Sequence, residues 1–145
     1  MVHWAGRIAL LAFAAVGLYF ASTLLFQSNV PTKQCVHVEG MESCPYYQRS
    51  VQLAQTLETQ DGFGKTGVKG WTREEWQSSR KGELWKLIPS AAERKHTTSP
   101  FVWIRDCSDG DLAKNPQNAY KNVDFIGGND AFHAWESKRR GKDEL

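Results

Sequence analysis

The stretch Cys44-Pro45-Tyr46-Tyr47 joins two segments of different character. Residues 36–38 before it alternate apolar and polar side chains, as a β-strand does, whereas residues 48–58 after it have the apolar spacing of an amphipathic helix. Cys44 therefore falls at a helix N-terminus, where free backbone N–H groups and the helix dipole favour an anion. Pro45 suits the first helical position, because the N–H that proline lacks would have no partner there. The quartet predicts an exposed thiol in its reactive thiolate form.

The two ends of the chain indicate where it works. Residues 8–26 form an uncharged run of 19 residues in a chain of 145, and about 20 apolar residues are enough to span a bilayer. We interpret residues 1–27 as an uncleaved signal anchor, with a cleaved signal peptide as the alternative. The sequence ends in Lys142-Asp143-Glu144-Leu145, an address that returns proteins to the endoplasmic reticulum. Both ends predict a domain in the lumen of that compartment, attached to the membrane through residues 8–26.

Length and charge limit what the remainder can be. Residues 28–34 are interpreted as a linker, residues 35–138 as one domain with a single core, and residues 139–145 as a tail that displays the retrieval signal. A net charge of +2 without a basic block gives no support for nucleic-acid binding. No two Cys or His residues have the spacing of zinc ligands, so no metal site is predicted. His37 and His133 are interpreted as structural or surface residues.

Periodicity and turn residues predict the order of the elements. Strands are predicted at 35–39, 68–71, 101–104 and 123–126, and helices at 45–58, 72–79, 83–95 (interrupted at Pro89) and 130–139. Thr72 and Glu75 have the spacing of a capping box, and Asn129 is expected to cap the last helix. Residues 107–122 are interpreted as a widened hairpin loop. A βαβ half followed by a ββα half predicts an α/β sandwich with two parallel strands and a final hairpin.

With three motifs in this order, the domain resembles a glutaredoxin, a member of the thioredoxin fold. The motifs are Cys44-Pro45-Tyr46-Tyr47, Thr98-Ser99-Pro100 and Gly127-Gly128-Asn129-Asp130. The resemblance implies a thioredoxin-like (βαβ…ββα) single domain, preceded here by an N-terminal transmembrane helix. It implies that Cys44 is the nucleophile and Pro100 a cis-proline beside it. It also implies that the substrate-binding residues, with glutathione as co-substrate, are Pro45, Tyr46, Tyr47, Ser99, Pro100, Gly128, Asn129 and Asp130.

The chain departs from the family pattern at two positions. The fourth motif residue is Tyr47 rather than a second cysteine, which makes this a monothiol arrangement, and Tyr47 is as compatible with packing as with the site. The position three residues before the cysteine, often lysine in the family, is Met41. A positive group for the glycine carboxylate of glutathione would then have to come from Lys95 or His96. An iron–sulfur cluster shared between monothiol domains is not expected in the lumen.

The leading hypothesis is a glutathione-dependent thiol–disulfide oxidoreductase with a single active-site cysteine, Cys44. Its partners would be glutathione and glutathionylated or disulfide-containing proteins. The alternative is a redox-inactive thioredoxin-fold module that binds peptides or unfolded chains beside Pro100. The missing second cysteine and lysine favour the module, whereas the retained Cys44 and the Gly127-Gly128 bend favour the enzyme.

The glutaredoxin-like strand order also implies a disulfide between Cys35 and Cys107. In that order the first strand is antiparallel to the strand that begins at Phe101, which brings the start of one beside the end of the other. Directly opposed residues have Cα atoms about 4.5–5.5 Å apart, which a disulfide can span. The open alternative is that Cys35 belongs to the stalk and Cys107 to the loop, with both reduced or paired elsewhere.

Overall fold

Four strands form one mixed sheet: β1 (Gln34–Met41), β2 (Gly67–Trp71), β3 (Phe101–Asp106) and β4 (Asp124–Gly127). Their order across the sheet is β2-β1-β3-β4. β1 and β2 are parallel, and β3 is antiparallel to both β1 and β4. The predicted parallel first pair and the final hairpin are therefore confirmed.

The coordinates are a computed structural model, which describes residues 32–107 and 116–143. The apolar run at residues 8–26, predicted to be a membrane anchor, lies outside these ranges, as do Glu144 and Leu145 of the predicted retrieval signal. Among the residues that are described, no helix combines the length and the apolar character needed to cross a membrane.

The helices lie along the chain between the strands as α1 (Pro45–Glu58), α2, α3 (Pro89–Glu93) and α4 (Asn129–Asp143). Helix α2 (residues 73–87) consists of three consecutive segments: Arg73–Glu75 is α-helical, Trp76–Arg80 is a π-helical turn and Lys81–Leu87 is α-helical. A short 3₁₀-helix, Pro116–Tyr120, precedes β4. The result is a mixed α/β domain with helices on both faces of the sheet.

Alternation along the strands separates two cores. On the first face, Val36 and Val38 of β1 and Val102 of β3 pack against Ala54 and Leu57 of α1 and Phe132 of α4. We call this the valine face. On the second face, Phe101 and Trp103 of β3 and Phe125 of β4 pack against Trp76 and Leu84 of α2 and against Ile88 and Ala91. We call this the aromatic face.

A buried ion pair lies on the aromatic face. The Arg80 guanidinium donates Nε–H to Glu39 Oε2 at 2.8 Å and Nη2–H to Glu39 Oε1 at 3.0 Å, and both side chains are under a tenth exposed. Tyr120 donates its hydroxyl to the same carboxylate at 2.7 Å, and Trp71 donates its indole N–H at 3.1 Å. Burial raises the pKa of Tyr120 to about 12, helped by the charge of Glu39. The carboxylate therefore has a full set of donors, as a buried charge requires.

Three predicted helix boundaries are wrong. The predicted gap between residues 79 and 83 does not exist, because the backbone continues through the π-helical turn, in which Lys81 N–H bonds the Trp76 carbonyl. The first hydrogen bond of α4 runs from Phe132 N–H to the Gly128 carbonyl, so Gly128 rather than Asn129 occupies the cap position.

Helix α4 also continues to Asp143, whereas residues 139–145 were predicted to be a tail. Arg139 explains the extension, because it pairs with Glu136 one turn earlier at 2.8 Å and lies over the Phe63 ring at 5.0 Å. Its side chain also donates to Gln60 Oε1 at 2.6 Å. The predicted capping box at the start of α2 is confirmed: Glu75 N–H bonds Thr72 Oγ1, and the Glu75 carboxylate accepts the Thr72 N–H.

A disulfide joins Cys35 and Cys107, with Cα atoms 5.2 Å apart, as predicted. The register differs in detail, because Cys35 is paired with Arg105 and the Cys107 N–H bonds the Lys33 carbonyl. The two cysteines are therefore diagonal neighbours rather than directly opposed. Gly64 leaves the space that this needs, since a Cβ there would lie 2.5 Å from Cys107 Sγ.

Candidate functional site

Cys44 is the N-cap residue of α1. Its backbone is extended (φ −85°, ψ 120°), its carbonyl accepts the Gln48 N–H at 3.2 Å, and Pro45 begins the helix. The Cys44 side chain makes no capping hydrogen bond, and the first turn of α1 carries no acidic residue. The half-buried thiol therefore stands beside the unpaired N–H groups of a helix start with no nearby carboxylate on that turn.

The backbone of Ser99 faces this thiol. Cys44 Sγ lies 3.7 Å from the Ser99 carbonyl oxygen, and the Ser99–Pro100 peptide bond is cis, as predicted. The Ser99 hydroxyl points the other way and accepts the Met41 N–H at 2.8 Å, at the end of β1. That bond fixes the segment before β3 to the strand that leads into Cys44.

Gly40 permits this close approach, and sequence reasoning missed it. A Cβ on Gly40 would lie 2.5 Å from Ser99 Oγ, 2.8 Å from Tyr47 Cδ2 and 3.2 Å from Pro100 Cα. A side chain at this position would therefore force the Ser99 hydroxyl and the Tyr47 ring to move. The available signal was a glycine inside a strand, which often marks a site where another backbone comes close.

A cleft of about 400 Å³ is lined by Ser99, whose carbonyl contacts the thiol, while Cys44 itself does not line it. Its walls come from three segments that are far apart in sequence: Tyr46 from the motif, His96 with Thr98 and Ser99 before β3, and Gly128 to Ala131 at the start of α4. Five of the nine sequence-predicted site residues line this cleft: Tyr46, Ser99, Gly128, Asn129 and Asp130.

The residues at the start of α4 present polar groups to the cleft. The Asn129 side chain is held by two hydrogen bonds: its Oδ1 accepts from Ser50 Oγ at 3.2 Å and its Nδ2–H donates to Asp130 Oδ1 at 2.9 Å. Asp130 is exposed. Gly127 has φ +132°, a conformation that side chains rarely adopt, so the bend requires glycine. The structure thus brings Gly128, Asn129 and Asp130 together with Ser99 around one cleft.

The two motif tyrosines have different roles. Tyr46 is 52% exposed and lines the cleft, whereas Tyr47 is buried in the core of the valine face. Burial raises the pKa of Tyr47, and the charges of Glu42 and Glu39 add to the effect. Tyr47 therefore packs in the core, and Tyr46 lines the cleft. Pro45 is exposed at the start of α1, and Pro100 is fully buried beneath Ser99.

His96 is the basic side chain at the cleft. Its Nε2–H donates to the Pro100 carbonyl at 3.0 Å, and its ring contacts Phe101 and Phe125 edge-on. Lys95, the other residue considered for this place, does not line the cleft. Among the described residues that line it, none is Lys or Arg, and Met41 instead packs against the core of the aromatic face.

The remaining predictions concern histidines and metals. His133 is exposed on α4, as the sequence suggested for a surface residue, and His37 is buried on β1. Within residues 32–107 and 116–143, no cluster of three or more His, Cys, Asp or Glu side chains could hold a metal ion.

The chain matches no protein-family model, no curated protein and no solved structure.

Proposed function

We propose that the domain has a thioredoxin-like arrangement and acts as a glutaredoxin-like, glutathione-dependent thiol–disulfide oxidoreductase. The observation that carries the proposal is the free Cys44 thiol at the N-terminus of α1, which lies 3.7 Å from the carbonyl oxygen of Ser99, a residue that lines the 400 Å³ cleft. The strand order β2-β1-β3-β4, with α1 between the parallel strands, supports the fold assignment.

The chemistry is a pair of thiol–disulfide exchanges. The Cys44 thiolate attacks the glutathione sulfur of a protein–glutathione disulfide, the protein thiolate leaves and takes up a proton, and Cys44 becomes glutathionylated. A second glutathione thiolate then attacks the glutathione sulfur on Cys44, which releases oxidised glutathione and restores the Cys44 thiolate. Glutathione is the reductant throughout, and Tyr47 in the fourth motif position means that the motif supplies no second thiol.

The cleft has complementary groups for a peptide-like ligand. An extended chain lying along Ser99 can use that residue's backbone groups, and the α-amino end can face Asp130 at the start of α4. The ligand carboxylates have His96 and the N–H groups of α4 available rather than a Lys or Arg. We expect weak glutathione binding for this reason. The proposed location is the lumen of the endoplasmic reticulum, with residues 8–26 as the membrane anchor.

The rival function is a redox-inactive module that binds peptides beside Pro100. The absence of Lys and Arg among the described cleft residues favours it, because glutathione carries two carboxylates. The half-buried Cys44 thiol, which is not in a disulfide and lies 3.7 Å from the Ser99 carbonyl oxygen, favours the enzyme, since a pure binding site has no use for a free thiol.

The test is turnover of a glutathionylated peptide by the full chain, with reduced glutathione as the second substrate. We expect activity in the wild type, none in Cys44→Ser, and retained activity in Tyr46→Phe, which keeps the ring beside the thiol. Activity in Cys44→Ser contradicts the assignment of the nucleophile. Inactivity of the wild type together with binding of unfolded polypeptides supports the rival.

A further inference from the structure

Among the described residues that line the cleft containing Ser99, Asp130 is the only acidic one. Asp130 is exposed, and its Oδ1 accepts a hydrogen bond from Asn129 Nδ2–H at 2.9 Å. That donor is a neutral amide, and within the described part of the chain Asp130 forms no ion pair. No cationic side chain therefore balances the charge of this carboxylate.

Positively charged side chains lie outside the walls of the cleft. Its described lining contains no Lys or Arg, and its one basic side chain, His96, already bonds a backbone carbonyl through Nε2. Arg49 lies over the ring of Tyr46, 5.9 Å from the centroid, and Arg94 donates to the Phe125 carbonyl at 2.8 Å. Neither arginine lines the cleft, so a ligand carboxylate there would find no Lys or Arg on the described walls.

The start of α4 does not reverse this balance. A helix N-terminus attracts an anion through its free N–H groups and its dipole, but here Asp130 itself occupies the first turn. A second carboxylate brought to this turn would meet a like charge. A ligand ammonium or guanidinium at the same place would meet an opposite one.

A second acidic residue, Glu42, lies two positions before Cys44 in the sequence but faces elsewhere. Its side chain lies against β2, where a Cβ on Gly70 would be 2.6 Å from Glu42 Oε1. Glu42 does not line the cleft. Among the described cleft residues, Asp130 therefore determines the sign of the charge that a ligand meets.

We propose that the cleft selects disulfides whose cysteine is carried by a positively charged peptide, with Asp130 as the residue that determines this preference. The inference rests on the proposed exchange at Cys44 and names its substrate class. The Cys44 thiolate attacks the peptide sulfur, the disulfide bond of the substrate breaks, and the other sulfur leaves as a thiolate that takes a proton from water. A Lys or Arg side chain beside the peptide cysteine pairs with Asp130, whereas the two carboxylates of glutathione make it a poorer substrate.

The experiment measures how fast Cys44 of the full chain forms a mixed disulfide with oxidised glutathione and with its tetraethyl ester, in which every carboxylate is masked. The reference is the same pair of reactions with a blocked peptide of residues 44–47, which has the motif but no cleft. Divided by the peptide's ratio, the rate ratio of ester to oxidised glutathione should be at least ~3-fold, the size expected for an exposed charge pair. Concentrated salt should reduce this ratio, because ions screen an exposed charge.

Two variants assign the preference to one carboxylate. Asp130→Asn removes the charge and keeps the size of the side chain, so the ratio should fall to that of the peptide. Asp124→Asn removes an exposed charge outside the cleft and should leave the ratio unchanged. Because both ligands are used with every variant, the bulk of the ethyl groups cancels. The proposal is overturned if the wild-type ratio equals that of the peptide, if Asp130→Asn keeps the wild-type ratio, or if Asp124→Asn lowers it as much.

Hydroxyethyl disulfide, which carries no charge, separates this inference from the proposed function. If Cys44 reacts with it while the ester-to-glutathione ratio equals that of the peptide, only the charge preference is wrong. If Cys44 does not react with it while the peptide does, the proposed exchange is wrong and the preference fails with it.

Discussion

The two faces of the sheet are built from the same strands but stabilised differently. The valine face is an apolar core under α1 and α4, and the candidate site lies at its edge, where Cys44, Ser99 and the start of α4 meet. The aromatic face contains rings together with the Glu39–Arg80 ion pair and with His37, whose Nε2 has no hydrogen-bond partner within the described part of the chain. The proposed exchange therefore takes place at the edge of an apolar core, while the buried Glu39–Arg80 ion pair lies on the opposite face of the sheet.

The largest effect is expected from Arg80→Met, which breaks the ion pair of the aromatic face. It leaves the Glu39 carboxylate buried and uncompensated, and loss of one partner of a buried pair costs about 3–5 kcal/mol. Urea denaturation should show the loss, and the double variant Glu39→Gln with Arg80→Met should lose less than Arg80→Met alone. Glu83→Gln is the matched control: Glu83 also bonds Arg80, at 3.0 Å, but its side chain is 54% exposed, so the cost should stay within about 1 kcal/mol. Equal losses for Arg80→Met and Glu83→Gln would contradict the assignment.

Removal of the Cys35–Cys107 disulfide should affect both faces together. The bond ties β1 to β3 at the end of the sheet away from Cys44 and closes a loop with a sequence separation of 72. A chain-entropy estimate gives about 4 kcal/mol for a loop of that length. We expect Cys35→Ala with Cys107→Ala to lower the free energy of unfolding by an amount of that order and to leave the Cys44 reaction intact at low temperature. Loss of the reaction in a folded double variant would show that the disulfide takes part in the chemistry.

Acid should weaken the aromatic face through His37. Its pKa falls from the usual 6.5 to about 4 in the folded state, so between these values the unfolded chain binds more protons than the folded one. Stability is therefore complete above pH 6.5 and is lost as the pH falls toward 4, by about 3 kcal/mol in total. His37→Phe should remove this part of the pH dependence, and His133→Phe should keep it. A wild type and a His37→Phe variant with parallel stability–pH curves would rule the effect out.

The smallest of these effects belongs to Gly40→Ala, which tests the edge of the valine face. The new Cβ meets Ser99 Oγ, Tyr47 Cδ2 and the Pro100 backbone, so we expect a loss of about 1–3 kcal/mol from overpacking and a larger fractional loss of activity. Gly82→Ala is the control, because a Cβ there meets nothing within 4 Å on exposed α2, and it should stabilise by about 0.5–1 kcal/mol. Unchanged activity in a folded Gly40→Ala variant would mean that the position of Ser99 does not matter.

Local patterns predicted most of the element order. α1 begins and ends where the periodicity of residues 45–58 placed it, and the Thr72–Glu75 capping box depends on neighbours three residues apart. These features are encoded within a few residues, so sequence alone was enough. The reactive position of Cys44 was predicted from the strand–helix junction, whereas Ser99 and Gly128 were assigned to the site through the resemblance to glutaredoxins.

Contacts between distant residues could not be read in this way. Glu39 pairs with Arg80, 41 residues away, and with Tyr120, 81 residues away. Nothing near Glu39 in the sequence indicates a partner, so the strand looked like a simple alternation. The π-helical turn that places Arg80 on the buried side, and the extension of α4 by Arg139, depend on such distant contacts too. Local sequence therefore predicts the helices and strands, whereas the partners of the buried charged side chains are determined by contacts between residues far apart in the chain.

The most direct test of the account is to locate the glutathione adduct on the full chain after treatment with oxidised glutathione, by intact mass followed by peptide mapping. We predict one glutathione per chain, attached to Cys44, with the Cys35–Cys107 disulfide unchanged and no adduct in Cys44→Ser. An adduct on Cys35 or Cys107 instead, or an unmodified Cys44 under conditions that modify a small thiol, would contradict the central claim.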